Sequence, residues 1–380
     1  MSKVTIQPSS YRVMFDVKPL AFDIDTGAAA DVTGLQTSVA ALTAQVGVIT
    51  AAMTAANLFP KVGAWEFRDH MPTLPGTTTV LPAGLEYKVA DLTQPDTTLR
   101  GAGMRVTLFD GQGGVDKGHR LAWGKGFFHV STGPATIKDV GFIDTLRDPG
   151  GTSDGEDSVY GEGWTGLLTF ERVALDGQEN GVFAPIGATG MGVLIDQCVF
   201  GRNRANGNND GRSHDIYVCG ASLTVTSSVF CGTSRGNTIK SRSPKVSVSN
   251  SYVGRTNGRW IDLPGNTAFT SQGNTYVTEV GAGSGNAIGV FDEGDMTNPG
   301  PSSWVSTGDA FYFSRAQEVI WNNDPNLTLQ FVNPVLKWIG KPGDTPPVLS
   351  LTGNITGLRQ LTADDRVDAA PPIPADPAMV

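Results

Sequence analysis

Residues 214–253 read HDIYVCGASLTVTSSVFCGTSRGNTIKSRSPKVSVSNSYV and contain the same short unit twice. In SLTVTSSVFCG and in KVSVSNSYVGR, alternating apolar and polar residues are followed by a bend of two or three residues and then by a second apolar pair. Such alternation is typical of a β-strand with one buried face. The stretch therefore predicts a repeated unit of strand, bend and strand.

The unit recurs on both sides of this stretch, as ATIKDVGFID, LLTFERVALDG, GVLIDQCVFGR and FTSQGNTYVTE. Its matching positions are separated by 33, 25, 30, 23 and 24 residues, which predicts stacked turns of a right-handed parallel β-helix rather than an array of helices. A β-sandwich is the alternative, but it requires regularly spaced hairpin signals, and those in this sequence are irregular. The matching positions are Ile137, Phe170, Ile195, Val225, Val248 and Gln272.

Composition supports an elongated all-β protein and excludes several classes of partner. The chain has 380 residues, 48 glycines and 17% charged residues, which suits many short strands joined by tight turns. Its net charge of −9 and the absence of a basic stripe argue against a nucleic-acid partner and against binding to an anionic membrane. The N-terminus shows no apolar core of a signal peptide, so we expect synthesis in the cytoplasm without ordinary secretion.

The three cysteines, Cys198, Cys219 and Cys231, are odd in number and lack the spacing of a metal site. We expect them to be reduced and to pack as small apolar residues. The four histidines form neither an HExxH motif nor a recognisable Ser-His-Asp pattern. The sequence therefore predicts no metal site and no cofactor.

Residues 31–58 carry a different pattern. Their apolar positions are spaced alternately by three and four residues, a heptad repeat that predicts a coiled coil of identical helices. The alternative is an amphipathic helix packed on its own domain, although such helices usually have a wider apolar stripe. With almost no flanking charges, the sequence leaves dimer and trimer open. The heptad positions are Val32, Leu35, Val39, Leu42, Val46, Ile49 and Met53.

The pattern divides the chain into four parts. A short polar and aromatic lead at 1–30 is followed by the heptad helix at 31–58 and the Gly-rich β region at 59–357. Residues 358–380 are rich in Pro, Ala and Asp and poor in apolar residues, which predicts a mobile tail.

The β region also carries a resemblance. The stretch at 214–253, followed by RWIDLPGNTAFTSQGNTYV and GVFDEG, resembles the central turns of bacterial and phage proteins with a right-handed parallel β-helix, the pectin-lyase-like proteins. LPAGLEYKVADLTQPDTTLRGAG resembles their first turn, so the resemblance covers about residues 80–295. It is specific for fold and weak for chemistry, since these proteins include lyases, hydrolases, epimerases and simple binders.

The order of anchor, heptad helix and β-helix is similar to that of phage tail spikes and fibres. This resemblance implies a homotrimer located in the virion and assembled in the host cytoplasm. It also implies attachment to a tail, baseplate or capsid protein through the N-terminus, and recognition of a bacterial surface polysaccharide with or without cleavage. The alternative is a bacterial polysaccharide lyase or glycoside hydrolase, which would not need the heptad helix.

Stacking of successive turns places the candidate site. If HDIYV, NTIKSR, RWIDL and NAIGVF align and their Ile and Val residues point inward, the neighbours of those residues form an outer face. Aromatic rings there could stack on sugars, and charged groups could bind hydroxyls. The predicted outer residues are Asp215, Tyr217, Thr238, Lys240, Arg242, Trp260, Asp262 and Phe291.

This face suggests two kinds of chemistry and one alternative without chemistry. Asp215 and Asp262, two turns apart at about 9.6 Å, could serve as the acid and base of an inverting hydrolase. Lys240 between them would keep both carboxylates ionised, which argues against a general acid at this site. In a lyase, Lys240 could instead abstract a proton from a uronate whose carboxylate Arg242 neutralises. In the alternative, Tyr217, Lys240 and Asp262 simply pair along their column. We therefore expect binding before hydrolysis.

Overall fold

The computed structural model describes residues 4–7, 12–15, 76, 78–81, 83–86, 90–92, 95–110, 126–131, 133–143, 157–161, 166–177, 180–184, 190–201, 213–232, 236–256, 258–265, 267–278, 286–290, 302–314, 317–322, 327–351 and 354–374. The chain divides into two compact units, Met1–Trp65 and Glu66–Val380. In the first unit, Val4–Gln7 pairs antiparallel with Arg12–Phe15. The predicted heptad helix lies outside the described residues.

The second unit contains stacked coils of three strands each. Each described strand pairs in parallel with the equivalent strand of a neighbouring coil, as Ile216 does with Ile239 and Ile239 with Ile261. The third strands alone form a ten-stranded parallel sheet. Parallel pairing between strands one coil apart is the topology of a parallel β-helix, so a parallel β-helix is confirmed for the described residues of this unit.

The bounds of the strands follow the coils. The first strands are Thr78–Val80, Thr97–Arg100, Met191–Asp196, Ser222–Thr226, Lys245–Ser249, Ala268–Gln272, Ser303–Thr307, Thr328–Val332 and Asn354–Thr356. The second strands are Gly84–Glu86, Thr107–Asp110, Val199–Phe200, Val229–Phe230, Tyr252–Thr256, Thr275–Thr278, Ala310–Phe313, Val335–Ile339 and Arg366–Val367. In two coils these strands are continuous, as Ala135–Ile143 and Gly166–Asp176. The third strands are Ala90–Leu92, Gly126–Val130, Asp157–Gly161, Asn180–Ala184, Ser213–Val218, Gly236–Ser241, Ile261–Leu263, Asn286–Val290, Gln317–Asn322 and Leu349–Ser350; a 3-10 helix spans Ala363–Asp365.

The repeat alignment of the sequence matches the register at all but its last position. Phe170 pairs with Ile137 and Ile195, and the series continues through Val225 to Val248. The prediction for Gln272 is wrong, because Gln272 pairs with Ser249 while Val248 pairs with Ser271. Ser271 fills an inward position and bonds the Tyr276 hydroxyl at 2.8 Å, so apolar alternation does not reveal the register there.

From Met191–Asp196 to Thr328–Val332, the bend after each first strand contains one residue with a left-handed backbone. Asn250 has φ +49°, and the next two coils place Gly273 and Gly308 at the same bend with φ +64° and +65°. Asparagine and glycine tolerate this conformation better than other residues. Gln197 and Ser227 adopt the same conformation at the equivalent bends of earlier coils, with φ +52° and +49°, so the bend that the sequence predicts has one recurring backbone geometry.

A ladder of buried side chains follows these bends. The Ser251 hydroxyl accepts from the backbone N–H of Ser228 at 3.1 Å, and the Asn274 side-chain oxygen accepts from the N–H of Ser251 at 2.9 Å. In the next coil, the Asp309 carboxylate accepts from the N–H of Asn274 at 2.7 Å. Each side chain thus satisfies a buried donor of the preceding coil, which would otherwise destabilise the fold.

The prediction of a mobile tail at 358–380 is wrong for the residues up to 374. Leu361 is buried in the main core, and Arg366–Val367 pairs in parallel with the second strand of the preceding coil. Ile373 packs on the outer surface of the second strands. These residues cover the core at the last described coil. Proline suits such a segment because it has no backbone N–H that would need a hydrogen-bond partner.

The described residues contain no disulfide: Cys198 and Cys219 are buried and free, and Cys231 is free and half-buried. Burial raises the pKa of the Cys198 thiol to about 12, so this cysteine packs as an apolar residue, as expected. No helix in the described part of the chain is long and apolar enough to cross a membrane.

Candidate functional site

One outward column of the third strands collects aromatic and charged side chains. On these strands Val182, Ile216, Ile239 and Ile261 point into the core, so the residue after each points away from it. The register joins these outward residues across consecutive coils. We call the following set the third-strand column: His129, Tyr160, Phe183, Tyr217, Lys240 and Asp262.

The first four members of the third-strand column form a continuous stack of rings. Ring centroids are 5.8 Å apart for His129 and Tyr160, 5.8 Å for Tyr160 and Phe183, and 5.3 Å for Phe183 and Tyr217. These distances are within the range of favourable aromatic contacts. Lys240 extends the stack, with its Nζ 5.2 Å from the centre of the Tyr217 ring.

The charged end of the column is a closed network. Asp262 lies 3.5 Å from Lys240 Nζ and 3.0 Å from a guanidinium nitrogen of Arg259. The Asn237 side-chain amide donates to the same carboxylate at 2.7 Å. Because Asp262 is also almost fully buried, this carboxylate stabilises the column and is poorly placed for proton transfer to a sugar.

Burial differs along the third-strand column. His129 and Tyr160 are 3% exposed, whereas Phe183, Tyr217 and Lys240 are half-buried. Burial raises the pKa of the Tyr217 phenol, so this hydroxyl remains a hydrogen-bond donor. The part that a ligand can reach is therefore the middle of the column, where two rings meet a cation.

The prediction that Trp260 lies on the outer face is wrong. Trp260 is 0% exposed and packs inside the coil against Tyr276, Phe311 and Phe313. Its indole N–H donates to the Val277 carbonyl at 2.9 Å. The third strand begins only at residue 261, so the alternation of side chains does not extend back to this tryptophan.

Asp215 and Thr238 are also buried, which corrects the prediction that they lie on the outer face. They precede the inward Ile216 and Ile239 within the third strands Ser213–Val218 and Gly236–Ser241, at a position that the pairing between coils skips. In the previous coil, a Cβ at Gly181 would approach a core ring carbon of Phe200 at 2.9 Å, which shows that this row points inward. Asp215 and Asp262 thus lie in different rows, and the predicted acid and base pair on one face does not form.

The remaining predicted residues have mixed outcomes. Tyr217, Lys240 and Asp262 are brought together as the sequence alignment predicts. Arg242 is largely buried, with its guanidinium 5.8 Å from the centre of the Tyr217 ring. Phe291 lies outside the described residues.

Sequence reasoning missed three of the four rings of the stack and two partners of Asp262. A signal for the stack was present, because GFFHV, DSVYG and NGVFA each place an aromatic residue one position after an inward apolar residue, as HDIYV does. The partners Asn237 and Arg259 had no comparable signal. Asn237 is the second residue of Gly236–Ser241 and Arg259 precedes Ile261–Leu263, so both lie outside the run of alternating residues from which the column was predicted. The missed residues are His129, Tyr160, Phe183, Asn237 and Arg259.

A second polar ladder runs along the beginning of the third strands. The Asn180 amide donates to Asp157 at 2.8 Å, and the Asn180 side-chain oxygen accepts from the backbone N–H of His214 at 2.9 Å. In the next coil, the backbone N–H of Asn237 donates to His214 Nδ1 at 3.3 Å. The imidazole must be neutral at Nδ1 to accept this bond. Burial, assisted by the nearby charge of Lys240, lowers the pKa of His214 to about 3.

We expect acid to destabilise the fold through His214. Its folded-state pKa of about 3 lies below the ordinary value of 6.5, so its stabilising contribution is present above pH 6.5 and is lost as pH falls toward 3. Between pH 7 and pH 4.5 this should cost about 2 kcal/mol. Urea unfolding at the two pH values should show a smaller loss for His214→Asn, since an asparagine oxygen can still accept from Asn237. An equal loss in both proteins would contradict the assignment.

Comparison with known proteins gives little beyond the fold. No protein-family model matches the chain, and no curated protein sequence matches it significantly. Among solved structures, a pectin methylesterase in complex with a hexasaccharide and the pectin methylesterase PemA from Erwinia chrysanthemi are similar at 10% identity. Each comparison covers 77% of this chain and 86% of the other, with TM-scores of 0.37 and 0.38. Likenesses this loose say nothing about activity, and the β-helix assignment rests on the strand register.

Proposed function

We propose that this chain is a homotrimeric phage spike or fibre protein that binds a bacterial surface polysaccharide through the middle of the third-strand column. The N-terminal residues 1–30 would attach it to a tail, baseplate or capsid protein, and the heptad repeat at 31–58 would join the three copies. The heptad repeat and the order of the segments support this architecture. The third-strand column supports the choice of ligand.

The observation that carries the proposal is the pair of half-buried rings, Phe183 and Tyr217, next to Lys240. Sugar rings present C–H faces that pack on aromatic rings and hydroxyls that bond to charged groups. Successive coils are about 4.8 Å apart, so such a column offers repeated contacts along an extended chain. A polymer can use several weak contacts at once, and three copies of the column would add avidity.

The contacts favour binding over cleavage. Lys240 and Asp262 already pair with each other, and Asp262 also accepts from Arg259 and Asn237. A general acid or base must instead reach the proton that it transfers. Asp215 is buried in a different row, so it cannot serve as the second carboxylate. A lyase or hydrolase remains the second candidate, since Lys240 and Arg242 lie beside the same reachable ring.

The test is retention of the full-length protein on an array of purified capsular polysaccharides and lipopolysaccharides. We expect Tyr217→Ala to weaken binding about five- to thirtyfold, because loss of an aromatic contact in a binding site costs about 1–2 kcal/mol. Phe183→Ala should have a similar effect. Tyr312→Ala is the matched control, since it removes a half-buried tyrosine from the second-strand side and should leave retention unchanged.

Polymer length must be followed in the same incubations. Unchanged length with all proteins supports adhesion alone. Shortening that Lys240→Ala or Asp262→Asn abolishes would establish the second candidate, a depolymerase. Retention that persists in Tyr217→Ala and Phe183→Ala would remove the third-strand column from consideration.

A further inference from the structure

The part of the chain that forms the middle of the third-strand column differs in charge from the rest. Residues 202–259, which we call the basic segment, contain nine lysines and arginines and only two acidic residues, whereas the whole chain has a net charge of −9. Surface potentials follow the local arrangement of charges, so an acidic protein can present a basic site. The nine cations are Arg202, Arg204, Arg212, Arg235, Lys240, Arg242, Lys245, Arg255 and Arg259.

Most of these cations belong to the same side of the coil as the third-strand column. Seven of the nine lie on a third strand, directly after one, or between a second strand and the third strand that follows it. Arg212 and Arg235 each directly precede a third strand in the sequence, and the first residues of those strands, Ser213 and Gly236, pair with each other. The order of the chain therefore concentrates positive charge at the coils that carry the reachable rings.

Two cations of the basic segment lie against the same half-buried ring. Lys240 Nζ is 5.2 Å and the Arg242 guanidinium 5.8 Å from the centre of the Tyr217 ring. Lys240 shares the Asp262 carboxylate with Arg259, at 3.5 Å and 3.0 Å, so one negative charge faces two positive charges. This network therefore keeps an excess of positive charge next to Tyr217.

The acidic residues of the basic segment do not offset this excess. Asp215 is fully buried and in a different row from the column, and Asp210 lies outside the described residues. Even with Asp262 included, three carboxylates stand against nine cations. Like charges so close in the chain repel each other, which destabilises the unliganded protein. A bound anionic group would relieve this repulsion, whereas a neutral ligand would not.

We propose that the polysaccharide bound by the third-strand column is acidic, and that one of its anionic groups lies beside Tyr217, near Lys240 and Arg242. The inference rests on the proposed function and adds the chemical class of the ligand. Lysine and arginine form charge-assisted hydrogen bonds with carboxylate and phosphate groups. The Tyr217 ring can pack on the C–H face of the same sugar.

A nucleic acid is the other class of polyanion, and the described contacts favour a polysaccharide over it. A nucleic acid carries one charge per nucleotide and is held by a series of cations along its backbone. Lys240 and Arg259 are half-buried and share one carboxylate, and Arg242 is largely buried. Such cations suit an occasional anionic group of a sugar chain better than a continuous row of phosphates.

Chemical removal of the anionic groups tests the inference on the full-length protein. The probes are the capsular polysaccharides and lipopolysaccharides that the array retains, each compared before and after reduction of its carboxylates to alcohols or removal of its phosphates. We expect the retained polymers to be acidic, and we expect one of the two treatments to weaken binding at least about tenfold, because charge-assisted hydrogen bonds are about twice as strong as neutral ones. The treatment that weakens binding identifies the anionic group as carboxylate or phosphate.

Two lysine variants locate the anionic group. Lys240→Gln should lose about as much affinity for the native polymer as the treatment does, and little more for the treated polymer. The Asp262 carboxylate keeps Arg259 and Asn237 as partners in this variant, so the fold should persist. Lys337→Gln is the matched control, since it changes a half-buried lysine on the second-strand side and should leave retention unchanged.

Each other outcome overturns a distinct statement. Retention of neutral or treated polymers at native strength, if Tyr217→Ala still weakens it, would refute the acidic ligand while leaving the third-strand column as the binding site. Equal effects of Lys240→Gln and Lys337→Gln would refute the position of the anionic group. Binding of a single-stranded DNA oligonucleotide as tightly as the polysaccharide would favour a nucleic acid and refute the inference. Retention of no polysaccharide would refute the proposed function itself.

Discussion

Replacing Trp260 with alanine should lower the free energy of unfolding by about 3–5 kcal/mol, the usual cost of deleting a large buried aromatic side chain. The indole is 0% exposed and contacts the rings of Tyr276, Phe311 and Phe313, which come from two further coils. Its removal leaves a cavity among them and also leaves the Val277 carbonyl without the indole N–H. Urea unfolding followed by circular dichroism measures this loss.

Trp260→Phe is the matched variant, and it should cost distinctly less because a ring still fills most of the space. The experiment also decides between the interior position of Trp260 and the surface position that the sequence predicts. A Trp260→Ala protein of native stability that no longer binds polysaccharide would place the indole on the surface and contradict the structure.

Replacing Asp309 with alanine should cost about 3 kcal/mol or more. The carboxylate is fully buried and accepts from the backbone N–H of Asn274 at 2.7 Å, from its side-chain amide at 3.0 Å and from the Ser306 hydroxyl at 2.6 Å. Alanine would leave the backbone N–H of Asn274 and the Ser306 hydroxyl without this acceptor, at about 1–3 kcal/mol for each, whereas the Asn274 amide still donates to Val248 and Ser271. Thermal and urea unfolding should both report the loss.

Two variants isolate the role of the Asp309 hydrogen bonds. In Asp309→Asn, the side-chain oxygen can still accept from Asn274, and the side-chain N–H can donate to the Ser306 hydroxyl oxygen. This variant should therefore keep most of the stability that Asp309→Ala loses. Asp196→Ala removes a half-buried aspartate from the outward side of a first strand and should change stability by no more than about 0.5 kcal/mol. Equal losses for Asp309→Ala and Asp196→Ala would show that the buried network contributes little.

The alternation of apolar and polar residues along each strand is what made the fold predictable from the sequence. Phe170, Ile195 and Val225 are apolar at each inward position, so their register could be aligned without a structure. The same alternation correctly joins Tyr217, Lys240 and Asp262 in one column. A slip of one residue would turn the whole apolar set outward, and this large penalty makes the pattern informative.

The errors occur where alternation ends. Trp260 lies just before the third strand Ile261–Leu263, and Asp215 lies within Ser213–Val218 at a position that the pairing between coils skips. Strand parity therefore does not give the direction of either side chain. Ser271 occupies an inward position because Tyr276 and Asn274 bond it, and such partners cannot be recognised from hydrophobicity. Residues 358–374 are ordered because Leu361 packs on the core and Arg366–Val367 pairs with the preceding coil. Their Pro-rich, Ala-rich composition gives no indication of these contacts.

The most direct test of the polysaccharide site is hydroxyl-radical footprinting of the full-length protein, with and without a polysaccharide that it retains. The account predicts that labelling of Phe183 and Tyr217 falls when the polymer binds, while labelling of Tyr312 stays unchanged. Protection of Tyr312, or unchanged labelling of both Phe183 and Tyr217 in the bound state, would contradict the proposal that the third-strand column holds the polysaccharide.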